Sequence, residues 1–434
     1  MIINSSARLD LLTAARAEIR HVRPLPATAF YEKKLAAVWD RARKSAAYQH
    51  LPAYSPEAFA DLPVTPKERL KAAPMDFFVG EMGGVSRYYE TTGTTGLPTP
   101  TPRSVEDIVW NVSAVADQWS TVLSRADRVL SLLPSDIVPV GDIVTDVCAV
   151  LDLPCTRAYP FATGISDWDR IASVWKTFQP TVVFAAPGVF LQMTRLLAQR
   201  GVLADLTAPV RTVMLLGEVS VPAMRRRLAG TWDAAVLDAS YGSTETGTLA
   251  ATCPEDSLHL LSGSNYFELN TEEGIMPPRP GTGGRLVVTP LNLHARPLVR
   301  YDTGDEVVLR AGCACGDPSP VVEPVGRAND TVEVAGARVL PRHLEEIVYA
   351  EADVTGYLVE VTADAERARL LLERNVRASR EDEDATAERI TAATRKATGV
   401  EWDRVIFVNT LPAATKSGAS QKSWKRSNIR VGEW

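Results

Sequence analysis

Short apolar β-type runs alternate with helical patterns between residues 105 and 325, and this alternation limits the fold more than any other feature of the chain. RVLSLLP, TVVFAAP, RTVMLLG and AAVLDASYG are the strand-like runs, with DWDRIASVWKTF and VPAMRRRLA between them. Strand–helix alternation predicts an α/β fold, a mostly parallel sheet with helices packed on its faces. GGRLVVTPL and the stretch around Val307 predict an added antiparallel portion. Residues 1–70 read instead as helices with polar breaks, such as FYEKKLAAVWDRARKSAAYQH.

The C-terminal stretch changes pattern. TVEVAGARVL reads as a hairpin around Gly336, and PRHLEEIVYAE as a helix opened by Pro341. TGYLVEVTA and RARLLLERN read as strands, EDATAERITAATRKATG as a second helix and WDRVIFVNT as a last strand. That order makes a small α+β unit. The expected division is a large domain over residues 1–328 and a small one over 329–434, with GRAND, around Arg327, as the hinge.

A chain of 434 residues with 45% hydrophobic and 23% charged residues buries a large core. Disorder and small disulfide scaffolds are excluded. A net charge of −6 carries no polyanion-binding footprint, so no nucleic-acid partner is expected. The tail from Lys416 to Trp434 is locally basic, with five basic residues against one acidic. The N-terminal apolar stretch is broken by Asp10 and Arg16, unlike a secretory signal. No run approaches the roughly 18 apolar residues of a membrane helix. The expectation is a soluble, cytoplasmic protein without a membrane partner. Five cysteines, an odd number, do not suggest a disulfide framework.

Three segments suit phosphate or sugar chemistry. In TTGTTGLPTPTPRS, residues 91–104, Gly93 and Gly96 let the backbone turn tightly, while Thr91, Thr92, Thr94 and Thr95 add hydroxyls beside the amides. That combination suits a polyphosphate. The spacing is not GxxxxGK[ST]. A solvated Gly/Thr loop is the plainer alternative. In YGSTETG, residues 241–247, a glycine turn follows a strand-like run. That is where open α/β sheets bind ligands. Thr244 offers a hydroxyl and Glu245 a hard carboxylate for Mg²⁺, and the alternative is a surface turn with an exposed acid. In RPLVRYDTGDEV, Asp305 follows a Thr-Gly turn, where a carboxylate can accept bonds from two ribose hydroxyls. Aspartate is common in turns for other reasons.

With GRANDTVEVAGARVLPRHLEE, these blocks resemble in order and wording the adenylate-forming (AMP-binding) superfamily of acyl- and aryl-CoA synthetases. The phenylacetate–CoA ligase branch is the most similar. LLGE at residues 215–218, CACG at 313–316 and Thr99 carry that finer likeness. The resemblance covers the chain from about Tyr89 onward.

It implies a large N-terminal domain, a small mobile C-terminal domain and a two-step reaction. A small carboxylic acid, aromatic in this branch, attacks the α-phosphate of ATP with Mg²⁺. A thiol, usually coenzyme A, then takes the acyl group. Thr91, Thr92, Gly93, Thr94 and Thr95 would cradle the β- and γ-phosphates. Thr244 would touch the α-phosphate, Glu245 would hold the metal, and Asp305 and Arg327 would grip the ribose. Gly96, Gly217, Glu218, Tyr241, Gly242 and Ser243 complete the expected nucleotide site, and Asp330 is the expected pivot. The alternative is an adenylating enzyme with another acceptor or substrate: a carrier-protein thiol, an amine, or nitrite activated for aryl amine diazotisation. Oligomeric state stays open, a homodimer included.

One departure matters. The family usually ends in a lysine just after Ser-Gly, whereas LPAATKSGASQKSWKR puts Ala419 in that slot. Lys422, three residues on, is the expected catalytic lysine, and Lys416 the other candidate. A solvated basic tail is the plain reading of both. Cys253 and His259 form C-x5-H, and Cys313 and Cys315 form C-x-C. Neither is a zinc-finger spacing, but four soft ligands in two close pairs suit structural Zn²⁺. Core thiols are the alternative. The acid pocket of the resemblance falls on segments holding Asp136, Asp142, Asp146, Tyr159, Phe161, Phe184 and Pro187. The aspartates are expected to cap helices or face water, unless one meets an amino group on the substrate.

Overall fold

Two strands, Val182–Ala185 and Thr212–Leu215, run parallel to one another with every residue buried. The computed structural model describes residues 5–23, 26–91, 98–162, 164–327, 330–374, 379–412 and 428–432. The parallel sheet runs in the order Cys155–Arg157, Val129–Ser131, Val182–Ala185, Thr212–Leu215, Ala235–Asp238. Helices Trp168–Phe178, Pro187–Gln199 and Pro222–Trp232 connect its strands. A parallel sheet covered by helices has no wet face, so its strands read as unbroken apolar runs. Asp167 caps the first of these helices by accepting from the Arg170 amide at 2.8 Å. Proline opens the other two.

This sheet lies in a unit made of Asp127–Leu133, Cys155–Asp238 and Asn329–Trp434. The same unit holds a four-stranded sheet ordered Arg404–Val408, Ala368–Glu373, Gly356–Val361, Ile429–Val431, with helices Pro341–Glu351 and Arg380–Thr398. The hairpin Val332–Val334 to Ala337–Val339 turns at Ala335 and Gly336, both at positive φ (48° and 73°). Two consecutive left-handed residues give the turn twist that hairpins favour. The strand Ile429–Val431, parallel to Gly356–Val361, went unread in the sequence. Helix Pro222–Trp232 packs on helix Pro341–Glu351, where the Ala223 amide donates to Glu346 Oε2 at 2.8 Å.

The other unit comprises Met1–Ala126, Pro134–Pro154 and Ala239–Ala328. Its eight-stranded sheet is antiparallel throughout: Gly274–Met276, Asn265–Thr271, Gly283–Pro290, Tyr301–Arg310, Val321–Arg327, Leu258–Leu260, Gly247–Thr252, Ser240–Ser243. It is larger than the antiparallel portion expected around GGRLVVTPL. Helix Thr28–Ala42 spaces Leu35, Val38, Trp39 and Ala42 at i, i+3, i+4 and i+7. All four are buried in one core with Leu269, Leu286, Val288 and Tyr301 of the sheet. Each such large side chain contributes about 1.5–3 kcal/mol. Among the described residues, no helix is long and apolar enough to cross a membrane.

Candidate active site and cysteine–histidine cluster

The Gly/Thr segment is carried by a hairpin. Arg87–Glu90 pairs antiparallel with Pro100–Arg103. Thr91 closes the base of the loop between them: its amide donates to Thr99 O at 3.2 Å, and the Thr99 amide donates to Thr91 Oγ1 at 2.9 Å. Thr92, Gly93, Thr94, Thr95 and Gly96 lie outside the described residues. Ser104 then opens helix Val105–Trp119 with a capping box in which Asp107 reaches back to the Ser104 amide at 2.8 Å. Asp107 also accepts from the His294 and Ala295 amides. His294 therefore has a structural place, and burial, followed by Arg41, lowers its pKa.

The YGSTE segment differs from the expected turn after a parallel strand. Ser240–Ser243 is the first strand of an antiparallel hairpin with Gly247–Thr252, and Thr244 and Glu245 lie in its turn. Glycine is required at 242, because a Cβ there would stand 2.3 Å from Gly247 O. Glu245 is buried at 5% exposure, not an exposed surface acid. Burial pushes its carboxyl up, but Lys67 and then its own backbone, Arg296 and Ser243 hold it below the usual carboxylate range. It is a buried, ionised oxygen donor, which fits a hard divalent cation.

RPLVRYDTGDEV also differs from a turn. Tyr301–Arg310 is one strand, and between the pairs Asp302↔Val287 and Glu306↔Arg285 it carries a bulge containing Gly304 and Asp305. Bulges re-aim side chains beside functional sites. Asp305 Oδ2 accepts from the Tyr241 hydroxyl at 2.8 Å, and Oδ1 from Arg327 Nε at 3.2 Å. The Tyr241 pKa stands well above its ordinary value through burial first and Asp305 second. Arg285 pairs with Asp302 at 3.2 Å, a structural role.

Thr91, Tyr241, Gly242, Ser243, Thr244, Glu245, Asp305 and Arg327 belong to one unit; Gly217, Glu218 and Asp330 belong to the other. Glu218 Oε2 accepts from the Gly188 amide at 3.4 Å. Asp330 directly follows the two undescribed residues after strand Val321–Arg327. Lys422 and Lys416 lie outside the described residues. On either side of them, the Leu411 amide donates to Glu373 Oε1 at 2.9 Å, and Asn428 O accepts from the Val359 amide at 2.7 Å.

Asp146 is buried rather than facing water, while Asp142, half-buried, lies in the first turn of helix Val140–Leu151. Arg87 forks onto Asp146 at 2.6 and 3.1 Å, and the Tyr89 hydroxyl donates to Asp142 at 2.8 Å. These carboxylates tie helix Val140–Leu151 to the hairpin of Arg87–Glu90 and Pro100–Arg103. Asp136 is exposed, and Phe184 is fully buried in the parallel sheet. Tyr159, Phe161 and Trp168 stack edge-on with centroids 5.5 and 6.1 Å apart. Sequence reasoning missed Lys67, Arg103 and Arg296, which surround Glu245. A lone arginine in sequence reads as surface, and only the acceptors it meets reveal its burial.

In the same unit as Glu245, Cys253, His259, Cys313 and Cys315 place their ligand atoms all within 4.8 Å of one another. Cys253 and His259 are buried, and Cys253 Sγ lies 3.6 Å from Cys313 Sγ. His259 Nδ1 lies 3.0 Å from Ser319 O, an acceptor, so Nδ1 carries the proton and Nε2 is left as a ligand, 3.3 Å from Cys315 Sγ. Three thiols and one oriented imidazole fit a tetrahedral soft-metal site. Cys148 is buried, and Cys155 is half-buried at the start of the edge strand Cys155–Arg157.

Similarity to known proteins supports an ATP-dependent, AMP-forming ligase. Residues 89–288 match the family described as AMP-binding enzyme. Phenylacetate-coenzyme A ligase of Escherichia coli (strain K12) is 26% identical over 343 residues, 73% of this chain and 76% of that protein. The enzyme of the same name from Aromatoleum evansii is 24% identical over 324 residues, covering 70% and 69%. Among solved structures, 2-hydroxyisobutyryl-CoA ligase in its postadenylation state shares the fold at a TM-score of 0.75 and 14% identity, covering 100% of this chain and 94% of that one. The chain thus carries an AMP-binding enzyme region and is similar to the phenylacetate–CoA ligases along about 70% of its length.

Proposed function

We propose that the protein is an ATP-dependent, AMP-forming ligase that converts a small carboxylic acid to its acyl adenylate and passes the acyl group to coenzyme A. The observation that carries this reading is Glu245, buried and ionised, in one unit with the Thr91 hairpin and the Tyr241–Asp305–Arg327 set. Glu245 would hold Mg²⁺, which when bound offsets the charge of the departing pyrophosphate. Thr244 would contact the α-phosphate. Asp305, aimed by its bulge and fixed on both oxygens, would accept from the ribose hydroxyls, with Arg327 alongside. Thr92, Gly93, Thr94 and Thr95 would cradle the outer phosphates, and Gly217 and Glu218 are proposed for the nucleotide site on the sequence motif. Lys422 is the residue proposed to meet the charge that grows at the α-phosphate, with Lys416 the other, and Asp330 is the proposed pivot between half-reactions. Both steps are positioning plus charge stabilisation.

An aromatic acid is the proposed substrate class. The names of the sequence relatives and the half-buried rings of Tyr159, Phe161 and Trp168 support it. Zinc at Cys253, His259, Cys313 and Cys315 is proposed as a structural ion, supported by the closed ligand set and the oriented imidazole. It would hold the segment after the YGSTE hairpin against the CACG stretch. The test of function is exchange of labelled pyrophosphate into ATP with a panel of aryl acids. Exchange that requires an acid is expected. Exchange without acid, or none with any acid while ATP binds, overturns the reading.

A further inference from the structure

The base of the phosphate-loop hairpin sets Arg87 directly opposite Arg103. Like charges facing each other across two strands are unfavourable unless each is compensated. Arg87 is compensated by the Asp146 carboxylate. Arg103 has a different arrangement. It is 6% exposed, and its Nη2 donates to two main-chain carbonyls, Thr244 O at 2.7 Å and Glu245 O at 3.0 Å. A buried charge is thus committed to the two carbonyls of the turn that presents Glu245.

Arg296 backs the same hairpin from its other end. It is fully buried, donating to Pro100 O and, at 3.0 Å, to Thr101 Oγ1. Among the described residues, Arg103 Nη1 and Arg296 Nε are both buried without a hydrogen-bond partner. Buried donors are nearly always satisfied, so each orphan calls for a structural or functional reason. Both bonds leave one nitrogen, whose place the rigid planar guanidinium fixes, as the flexible stem of a lysine does not. An apolar residue would leave both carbonyls unpaired.

We propose that Arg103 is a positioning residue for adenylation: it fixes the Thr244–Glu245 turn to the phosphate-loop hairpin, so that metal-holding and phosphate-holding groups keep one geometry. Arg296 keeps the outgoing strand of that hairpin in register for it. This rests on the reading of Glu245 as the Mg²⁺ residue. The bonds of Arg103 go to main-chain carbonyls of the turn. Its effect passes through the backbone of the turn and should show in Mg²⁺ use rather than in recognition of the acid.

The experiment compares the full-length wild type with Arg103→Met and Arg103→Lys. Hydrogen–deuterium exchange of peptides covering residues 240–252, without ATP, reads the turn itself. Acid-dependent pyrophosphate exchange then gives half-saturation for Mg²⁺ and KM for the acid. Arg103→Met should speed amide exchange in the turn and raise the Mg²⁺ half-saturation about tenfold or more, the loss of two charge-assisted bonds. The acid KM should stay within about twofold, a split that separates positioning from general damage. Arg103→Lys, which folds more readily because it keeps the charge, should fall between wild type and Met in both readouts. Unchanged amide exchange in the turn overturns the proposal, as does a rise in acid KM equal to the rise for Mg²⁺. Absence of acid-dependent exchange in the wild type would instead remove the functional reading, while the amide-exchange result would still decide whether Arg103 holds the turn.

Discussion

Tyr241 donates its phenolic hydrogen to Oδ2 of Asp305 at 2.8 Å, although three strands separate them in the sheet. The sheet therefore curls, bringing its edge strand Ser240–Ser243 to the bulge in Tyr301–Arg310. Arg327 addresses the other carboxylate oxygen, so the orientation of Asp305 is fixed from both sides. Tyr241→Phe should raise the ATP KM by roughly three- to tenfold, about 1 kcal/mol for one hydrogen bond, with a smaller change in kcat. Asp305→Ala should cost more, about 1–3 kcal/mol. Steady-state kinetics at saturating acid check both; an unchanged ATP KM in Asp305→Ala would assign Asp305 to the bulge alone.

Glu245→Gln should keep the fold and lose most adenylation at any Mg²⁺ concentration. The folded carboxyl sits below its ordinary range. A depressed acid contributes stability above its unfolded pKa, which is lost as pH falls through the folded value. Acid unfolding of Glu245→Gln should therefore lose part of its steepness below the usual carboxylate range. Full turnover at limiting Mg²⁺ would take Glu245 out of the metal role.

The cysteine cluster predicts about one zinc per chain by elemental analysis, the count for one closed four-ligand site. Cys313→Ser should lower the melting temperature while leaving the specific activity of the folded fraction within about twofold, because such a site contributes to folding. Metal-free protein with unchanged melting would return these residues to core thiols.

Glu360 offers a stability test away from the site. It faces Arg369 on one neighbouring strand and Arg430 on the other, in register with both, and is 2% exposed. Burial raises its carboxyl, but Arg430 and Arg369 bring it below the usual range. The stabilisation is present above the unfolded pKa and lost on acidification through the folded one. Glu360→Gln should destabilise by about 1–3 kcal/mol at neutral pH, and by less in acid. A denaturant series at two pH values measures this, and an equal loss at both would contradict it.

The parallel sheet was legible because strands buried on both faces, such as Val182–Ala185, must be apolar throughout. The small α+β elements were legible because Gly336 and Pro341 punctuate them with turn and helix-start chemistry. The antiparallel sheet was underread because strands such as Leu258–Leu260 and Gly274–Met276 have three residues each, too few for a period. Ile429–Val431 hid in a basic tail, and only the exposed edge of Gly356–Val361 makes it a strand. The motif residues Tyr241 and Asp305 could be named, but their bond depends on sheet curl. Arg103 and Arg296 could not be found, since their burial is decided by carbonyls far away in sequence.

The most direct measurement is product stoichiometry from one purified preparation with ATP, Mg²⁺ and an aryl acid, with and without coenzyme A. With coenzyme A, AMP, pyrophosphate and an acyl thioester should form in equal amounts over many turnovers. Without it, pyrophosphate should stop near one per enzyme, as the acyl adenylate stays bound. ADP in place of AMP, or AMP and pyrophosphate accumulating with coenzyme A but no thioester for any acid, would contradict ligation to coenzyme A.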